Sequence, residues 1–144
     1  MASKVMHMIF CRNINKAIFE KSRLFQICIV DDCPIQSSYL KFLLKKLTKV
    51  EIVVYNDPKG WLRDVEELSN TLTFLDKNMP KVDGDELCAL ARAKNPDIGW
   101  IISYSTCVRK GSKRELYRMG YNGSLSKPAR INDVNRILLR LGSV

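Results

Sequence analysis

Apolar residues fall along this chain in two kinds of cluster. In the first, nearly every position of a short run is apolar or β-branched, and the run stops at a polar residue or turn former. Phe25-Gln-Ile-Cys-Ile-Val30, Glu51-Ile-Val-Val-Tyr55, Thr71-Leu-Thr-Phe-Leu75, Ile98-Gly-Trp-Ile-Ile-Ser103 and the shorter Gly123-Ser-Leu-Ser126 are of this kind. Runs of this length and makeup read as strands. In the second kind the apolar positions spread out to helical spacing. Residues 34–48 set Ile35, Tyr39, Phe42, Leu43 and Leu47 near one face, and residues 58–69 do the same with Trp61, Leu62, Val65 and Leu68. Residues 84–94 offer Leu87, Leu90 and Ala91, residues 108–119 offer Leu116 and Met119, and residues 131–141 offer Ile131, Val134, Ile137, Leu138 and Leu141. Pro34 and Pro58 stand where a first helical turn tolerates proline, because the missing N–H would have no partner there.

The order is therefore strand then helix, five times over. Such alternation predicts a parallel sheet covered by helices on both faces, joined by right-handed crossovers. A chain of 144 residues suffices for one such domain. Residues 25–144 are read as that domain. Residues 1–24 stand outside the pattern as a basic extension of undefined structure, with Lys4, Arg12, Lys16, Lys21 and Arg23 against Glu20 alone. Their apolar stretch is short and broken by His7, a poor match to a secretory signal. An organellar transit peptide, a membrane-surface helix and the tail of an upstream segment stay open for them.

Composition narrows the function classes. The chain is 46% hydrophobic and 27% charged, which suits a globular domain. No apolar run reaches the roughly 18 to 20 residues of a membrane helix. Cys11, Cys28, Cys33, Cys88 and Cys107 form no CxxC pair, which argues for a reducing compartment, and the cytoplasm is the expected location. The lone His7 argues against a histidine-based metal or catalytic site. The net charge of +9 favours acidic partners in general. Aromatics are not interleaved with the basic residues as a stacking surface requires, so nucleic acid is not an expected partner.

Candidate chemistry follows from the strand ends. In an open parallel sheet, functional groups gather beyond the carboxyl ends of the strands. The first strand delivers Asp31 and Asp32 there, the third Asp76, the fourth Ser105 just past its end, and the fifth Lys127. Three clustered carboxylates repel each other and need a cation; hard oxygen donors suit Mg2+. A carboxylate nucleophile, a metal and an ammonium with a hydroxyl to hold phosphoryl oxygens make a set for in-line phosphoryl transfer. Rival motifs fail on spacing. A calcium loop starting at Asp76 is broken by Pro80, a paired-aspartate phosphatase would need an acid at Asn78, and there is no glycine-rich phosphate loop.

Over roughly residues 25–141 the chain resembles the receiver domain of two-component response regulators. The motifs are Ile29-Val-Asp-Asp-Cys33, Phe74-Leu-Asp-Lys-Asn-Met-Pro80 with Asp83-Gly84, Ile101-Ile-Ser-Tyr-Ser105, and Leu125-Ser-Lys-Pro128. Gly120 to Pro128 is closest in flavour to receivers of hybrid histidine kinases. The resemblance implies an α/β, flavodoxin-like (βα)5 doubly wound parallel sheet with strand order 2-1-3-4-5. It implies Asp76 as phosphoacceptor and catalytic nucleophile, with Mg2+ held by Asp31, Asp32, Asp76 and the backbone carbonyl of Asn78, Asp32 more directly than Asp31. Ser105 would be the switch hydroxyl and Lys127 the catalytic, phosphate-binding lysine. The implied donor is a phosphohistidine on a histidine kinase or a histidine phosphotransfer protein. A downstream protein would meet the face formed by the fourth helix, fifth strand and fifth helix, and a homodimer stays open. The protein would be no enzyme beyond its own phosphorylation and slow dephosphorylation.

The sequence also departs from that family. Ser124 stands where such receivers usually carry Tyr or Phe, and Thr106 where a smaller residue is usual; the second departure leads us to expect slow loss of the phosphoryl group. The fourth and fifth helices are unusually basic, with Lys110, Lys113, Arg114, Arg118, Arg130, Arg136 and Arg140. Two other readings stand beside the first: an interaction module that no longer uses phosphate, and a basic binder of nucleic acid or anionic membrane. Trp61 and Trp100 are expected to pack, Cys33 to be a plain small residue, and Asp83-Gly84 to start a helix.

Overall fold

A computed structural model describes residues 26–106 and 113–141. The extension read over residues 1–24 lies outside the described residues, as do Cys11, Cys107 and Lys110. Five strands, β1 (Gln26–Val30), β2 (Glu51–Tyr55), β3 (Thr71–Asp76), β4 (Gly99–Ser105) and β5 (Gly123–Ser126), form one sheet in the order β2-β1-β3-β4-β5. Every neighbouring pair is parallel. The helices between them are α1 (Pro34–Leu47), α2 (Pro58–Asp64), α3 (Gly84–Lys94), α4 (Lys113–Arg118) and α5 (Ile131–Arg140). The flavodoxin-like α/β fold and strand order anticipated above are those observed.

Side-chain alternation on the strands divides the interior into two cores. Ile27, Ile29, Phe74, Tyr104 and Leu125 pack with Leu40, Leu44, Val134 and Leu138 of α1 and α5. Cys28, Val30, Leu75 and Ile101 pack with Trp61, Leu87, Cys88 and Ala91 of α2 and α3. Burying both faces explains why β3 is buried at every position and reads as a continuous apolar run. Truncating a fully buried ring such as Trp61 or Phe74 to Ala would cost about 3–5 kcal/mol.

The structure corrects several sequence expectations. Ile35, Tyr39 and Phe42 do not face the core: they are 81%, 43% and 55% exposed, and α1 buries Ser37, Leu40, Leu43 and Leu44 instead. A helix with a broad apolar arc offers two stripes of similar spacing, and the sheet selects the leucine-bearing one. Leu90, Met119 and Ile131 are likewise exposed. The helix expected over residues 58–69 ends at Asp64 and continues as one 3-10 turn, Val65–Glu67. The expected fourth helix is described only from Lys113, because residues 107–112 lie outside the described residues. Strands β3 and β4 run on to Asp76 and Ser105, past the ends drawn from the sequence.

Two turn devices aim the carboxyl ends of the strands. Asp57 and Asp83 cap α2 and α3 by accepting from the N–H groups of Lys59 and Asp85. Gly84 opens α3 where a Cβ would lie 2.5 Å from the Asp76 carbonyl oxygen and 2.7 Å from the Lys77 Cα. That contact leaves no room for a side chain, so the helix start presses directly on the end of β3. Among the described residues no helix is long and apolar enough to cross a membrane.

Candidate functional site

The carboxyl ends of β1, β3 and β5 bring three acids and one ammonium together. Asp31 and Lys127 stand two residues beyond Ile29 and Leu125, and Asp76 two beyond Phe74, so all three extend the α1/α5 face of the sheet. One carboxylate oxygen from each of Asp31, Asp32 and Asp76 lies within 4.8 Å of the others. The Lys127 Nζ sits 2.8 Å from Asp31 Oδ2 and 3.2 Å from Asp76 Oδ1, its side chain only 6% exposed. It also donates to Gln36 Oε1 from the first turn of α1.

Each acid is held differently. Asp31 is fully buried; its Oδ1 accepts the Cys33 N–H at 2.9 Å, and Asn56 Nδ2 donates to its backbone carbonyl at 2.8 Å. Asp32 is exposed. Asp76 is 4% exposed, and both its bonds, from the Asn78 N–H at 3.1 Å and from Lys127, fall on Oδ1. Burial raises the Asp76 carboxyl above the ordinary aspartate range; the Asn78 N–H and Lys127 pull it down, and the nearby Asp31 pushes it up again. Ser105 is buried at the end of β4, where Asn78 Nδ2 donates to its hydroxyl at 3.3 Å. Its backbone carbonyl takes the Lys127 N–H at 2.9 Å, fixing the height of that lysine against β4. The Lys127–Pro128 bond is cis.

Three carboxylates around one ammonium leave a buried excess of negative charge. The donors are all oxygen, as a hard divalent cation requires, and the exposed Asp32 leaves the cluster open to solvent on one side. The residues present therefore fit such a cation. The buried thiols do not offer a rival site: burial pushes Cys28 and Cys88 up to about 12.

Every residue proposed from the sequence lies in this constellation: Asp31, Asp32, Asp76, Asn78, Ser105 and Lys127. Sequence reasoning missed Gln36, Asn56 and Tyr104. The Lys127 Nζ stands 4.6 Å from the centre of the buried Tyr104 ring. Asn56 also donates to Ser37 Oγ at 3.0 Å, pinning the turn after β2 to α1. The one signal available for Asn56 was an amide just past a strand end.

Beside the acids lies a cavity of about 1160 Å³, lined among others by Asn78, Ser105, Leu87, Leu116, Met119 and Ser124. Ser124 itself is exposed. Tyr121, three residues earlier, is buried against α3 with its hydroxyl donating to Asp85 Oδ1 at 3.0 Å. Asp85 in turn pairs with Lys77 at 3.2 Å.

Comparison with known proteins agrees with this geometry. No curated protein matches the chain in sequence. Chemotaxis protein CheY4 of Vibrio cholerae has a similar structure, with a TM-score of 0.71 at 21% identity over 82% of this chain and 98% of that one. The receiver domain of a Pseudomonas aeruginosa sensor histidine kinase, solved with magnesium in its active site cleft, gives 0.70 at 24% over 82% and 98%. The receiver domain of Saccharomyces cerevisiae Ssk1, solved with the histidine phosphotransfer protein Ypd1, gives 0.70 at 19% over 83% and 90%. The family model of the response regulator receiver domain matches residues 27–139. The chain belongs to that family.

Proposed function

We propose that this receiver takes a phosphoryl group on Asp76 from a phosphohistidine of a histidine kinase or histidine phosphotransfer protein, with Mg2+ as cofactor. The observation that carries the reading is the Lys127 ammonium bridging Asp31 and Asp76 beside the open carboxylate of Asp32. Asp76 needs no general base, since its ionised carboxylate is the nucleophile. Both its bonds fall on Oδ1, so Oδ2 is the atom that attacks phosphorus. The phosphorus–nitrogen bond of the donor breaks as the new oxygen–phosphorus bond forms, and the imidazole leaves, taking a proton from water. Lys127 and the Ser105 hydroxyl hold two of the phosphoryl oxygens. Asp31, Asp32, Asp76 and the Asn78 carbonyl would hold the magnesium ion, which would supply positive charge to the phosphoryl oxygens.

The protein acts on no separate substrate. It phosphorylates itself, loses the group slowly to water, and in each state presents a different α4, β5 and α5 face to a downstream protein. The reading includes a cytoplasmic location, where the donor proteins carry out their transfer. The magnesium-bearing and phosphotransfer-bound relatives described above support it. Intact mass after incubation with magnesium and acetyl phosphate tests it: the wild type gains one phosphoryl group and Asp76→Asn gains none. Equal masses before and after in the wild type refute it.

A further inference from the structure

Four groups surround the Lys127 ammonium, and two of them carry no charge. Asp31 Oδ2 and Asp76 Oδ1 belong to acids that the proposed function assigns to other work: both to a cation, and Asp76 through its Oδ2 to the incoming phosphoryl group as well. Any ligand drawing those oxygens away removes both ionic anchors of the lysine among the described residues. Gln36 Oε1 and the face of Tyr104 remain. Neither competes for a cation with the strength of a carboxylate, and neither repels a phosphoryl oxygen.

Tyr104 is well placed for this. It pairs with Asp76 on one side of β4 and with Leu125 on the other, so its ring lies directly beneath the gap between the phosphoacceptor and the lysine strand. The ring is 1% exposed, and its hydroxyl is tied to the backbone of Ala129, just past Pro128. Tyr39 from α1 donates to the Ala129 carbonyl at 3.0 Å. Burial on all sides holds the ring in this place. A desolvated ammonium over an aromatic face gains attraction from the ring quadrupole.

We propose that Tyr104 and Gln36 are positioning residues for Lys127: a neutral ring and a neutral amide keep the ammonium at phosphoryl height after its carboxylate partners are engaged elsewhere. This rests on the proposed phosphoacceptor function. A bland packing role for Tyr104 predicts that any apolar residue of suitable size replaces it. The positioning role predicts that Phe does and Leu does not.

The test uses Tyr104→Phe, Tyr104→Leu, Gln36→Asn and Gln36→Leu in the full chain. The first readout needs no metal or phosphate: proton NMR of the Lys127 εCH2 group. Ring-current shielding moves it upfield in the wild type and Tyr104→Phe, and the shift vanishes in Tyr104→Leu. The second is the rate of phosphorylation by acetyl phosphate with magnesium. It falls about tenfold in Tyr104→Leu, as a lost desolvated cation–π contact implies, and Tyr104→Phe restores it. Gln36 lies half-buried in the first turn of α1, so its variants fold even if Tyr104→Leu does not; Gln36→Leu slows the reaction and Gln36→Asn slows it less. Unshielded εCH2 protons in the wild type, or equal rates in Leu and Phe variants that both fold, overturn the inference. If the wild type takes up no phosphoryl group, the function proposed above fails, while the NMR shift still decides the contact.

Discussion

The two sides of Ser105 are built on opposite plans. Towards β1, the site is crowded: Asp31, Asp76, Lys127 and Gln36 meet at hydrogen-bond distance. Towards α4, the structure opens into a cavity of about 1160 Å³ with serine hydroxyls on its floor. Ser103 and Ser124 pair across β4 and β5, and no ring at residue 124 fills the space. The crowded side fixes chemistry by overdetermined electrostatics, where removing one partner strands another. The open side has little to lose from a substitution and room to admit one. Stability and phosphorylation should therefore respond sharply on the first side and weakly on the second.

The largest break of this contrast comes from Lys127→Met. It leaves the fully buried Asp31 and the nearly buried Asp76 without a cation, and should cost about 3–5 kcal/mol in urea unfolding at neutral pH without metal. It should also abolish phosphorylation by acetyl phosphate. Gly84→Ala comes next. Its Cβ would collide with the Asp76 carbonyl and the Lys77 Cα, both backbone, so the end of β3 must move. Overpacking of this sort costs about 1–3 kcal/mol, and the phosphorylation rate should fall with it.

Asp76→Asn sharpens the comparison in the other direction. The folded carboxyl of Asp76 sits above its ordinary range, first through burial. The folded state thus holds that proton more tightly than the unfolded chain. Its stability falls as pH rises from the ordinary aspartate range through the elevated folded value. Asn removes that penalty. In metal-free buffer Asp76→Asn should melt above the wild type at neutral pH, and the gap should close as pH drops below the ordinary aspartate range. A mutant that melts lower at neutral pH would contradict this. The smallest effect belongs to Ser124→Tyr, on the open side: a change within about 0.5 kcal/mol and an unaltered phosphorylation rate, read by thermal melting and the mass assay.

The strands, their order and the meeting of the six candidate residues were legible because acids at strand ends and continuous apolar runs carry their meaning locally. Asp31, Asp76 and Lys127 are placed by strand alternation, which a sequence displays directly. The buried face of α1 was not legible, because Ile35, Tyr39 and Phe42 make as regular a stripe as Leu40, Leu43 and Leu44, and only packing against β1, β2 and α5 chooses between them. The change from α-helix to a 3-10 turn at Val65 leaves no trace in the apolar spacing. Gln36 and Tyr104 escaped for a third reason: their importance lies in nearness to a lysine 91 residues along in one case and just past the next strand in the other. Long-range partnership of this kind leaves no local mark.

The central claim concerns one carboxylate among three that lie within 4.8 Å of one another. Treating phosphorylated protein with borohydride reduces an acyl phosphate to the alcohol, turning a phosphorylated aspartate into homoserine, and peptide mapping then reads which residue was changed. The account predicts homoserine at residue 76 and unmodified Asp31 and Asp32. Modification at either of those two, or phosphate retained on Ser105 through the reduction, would contradict it.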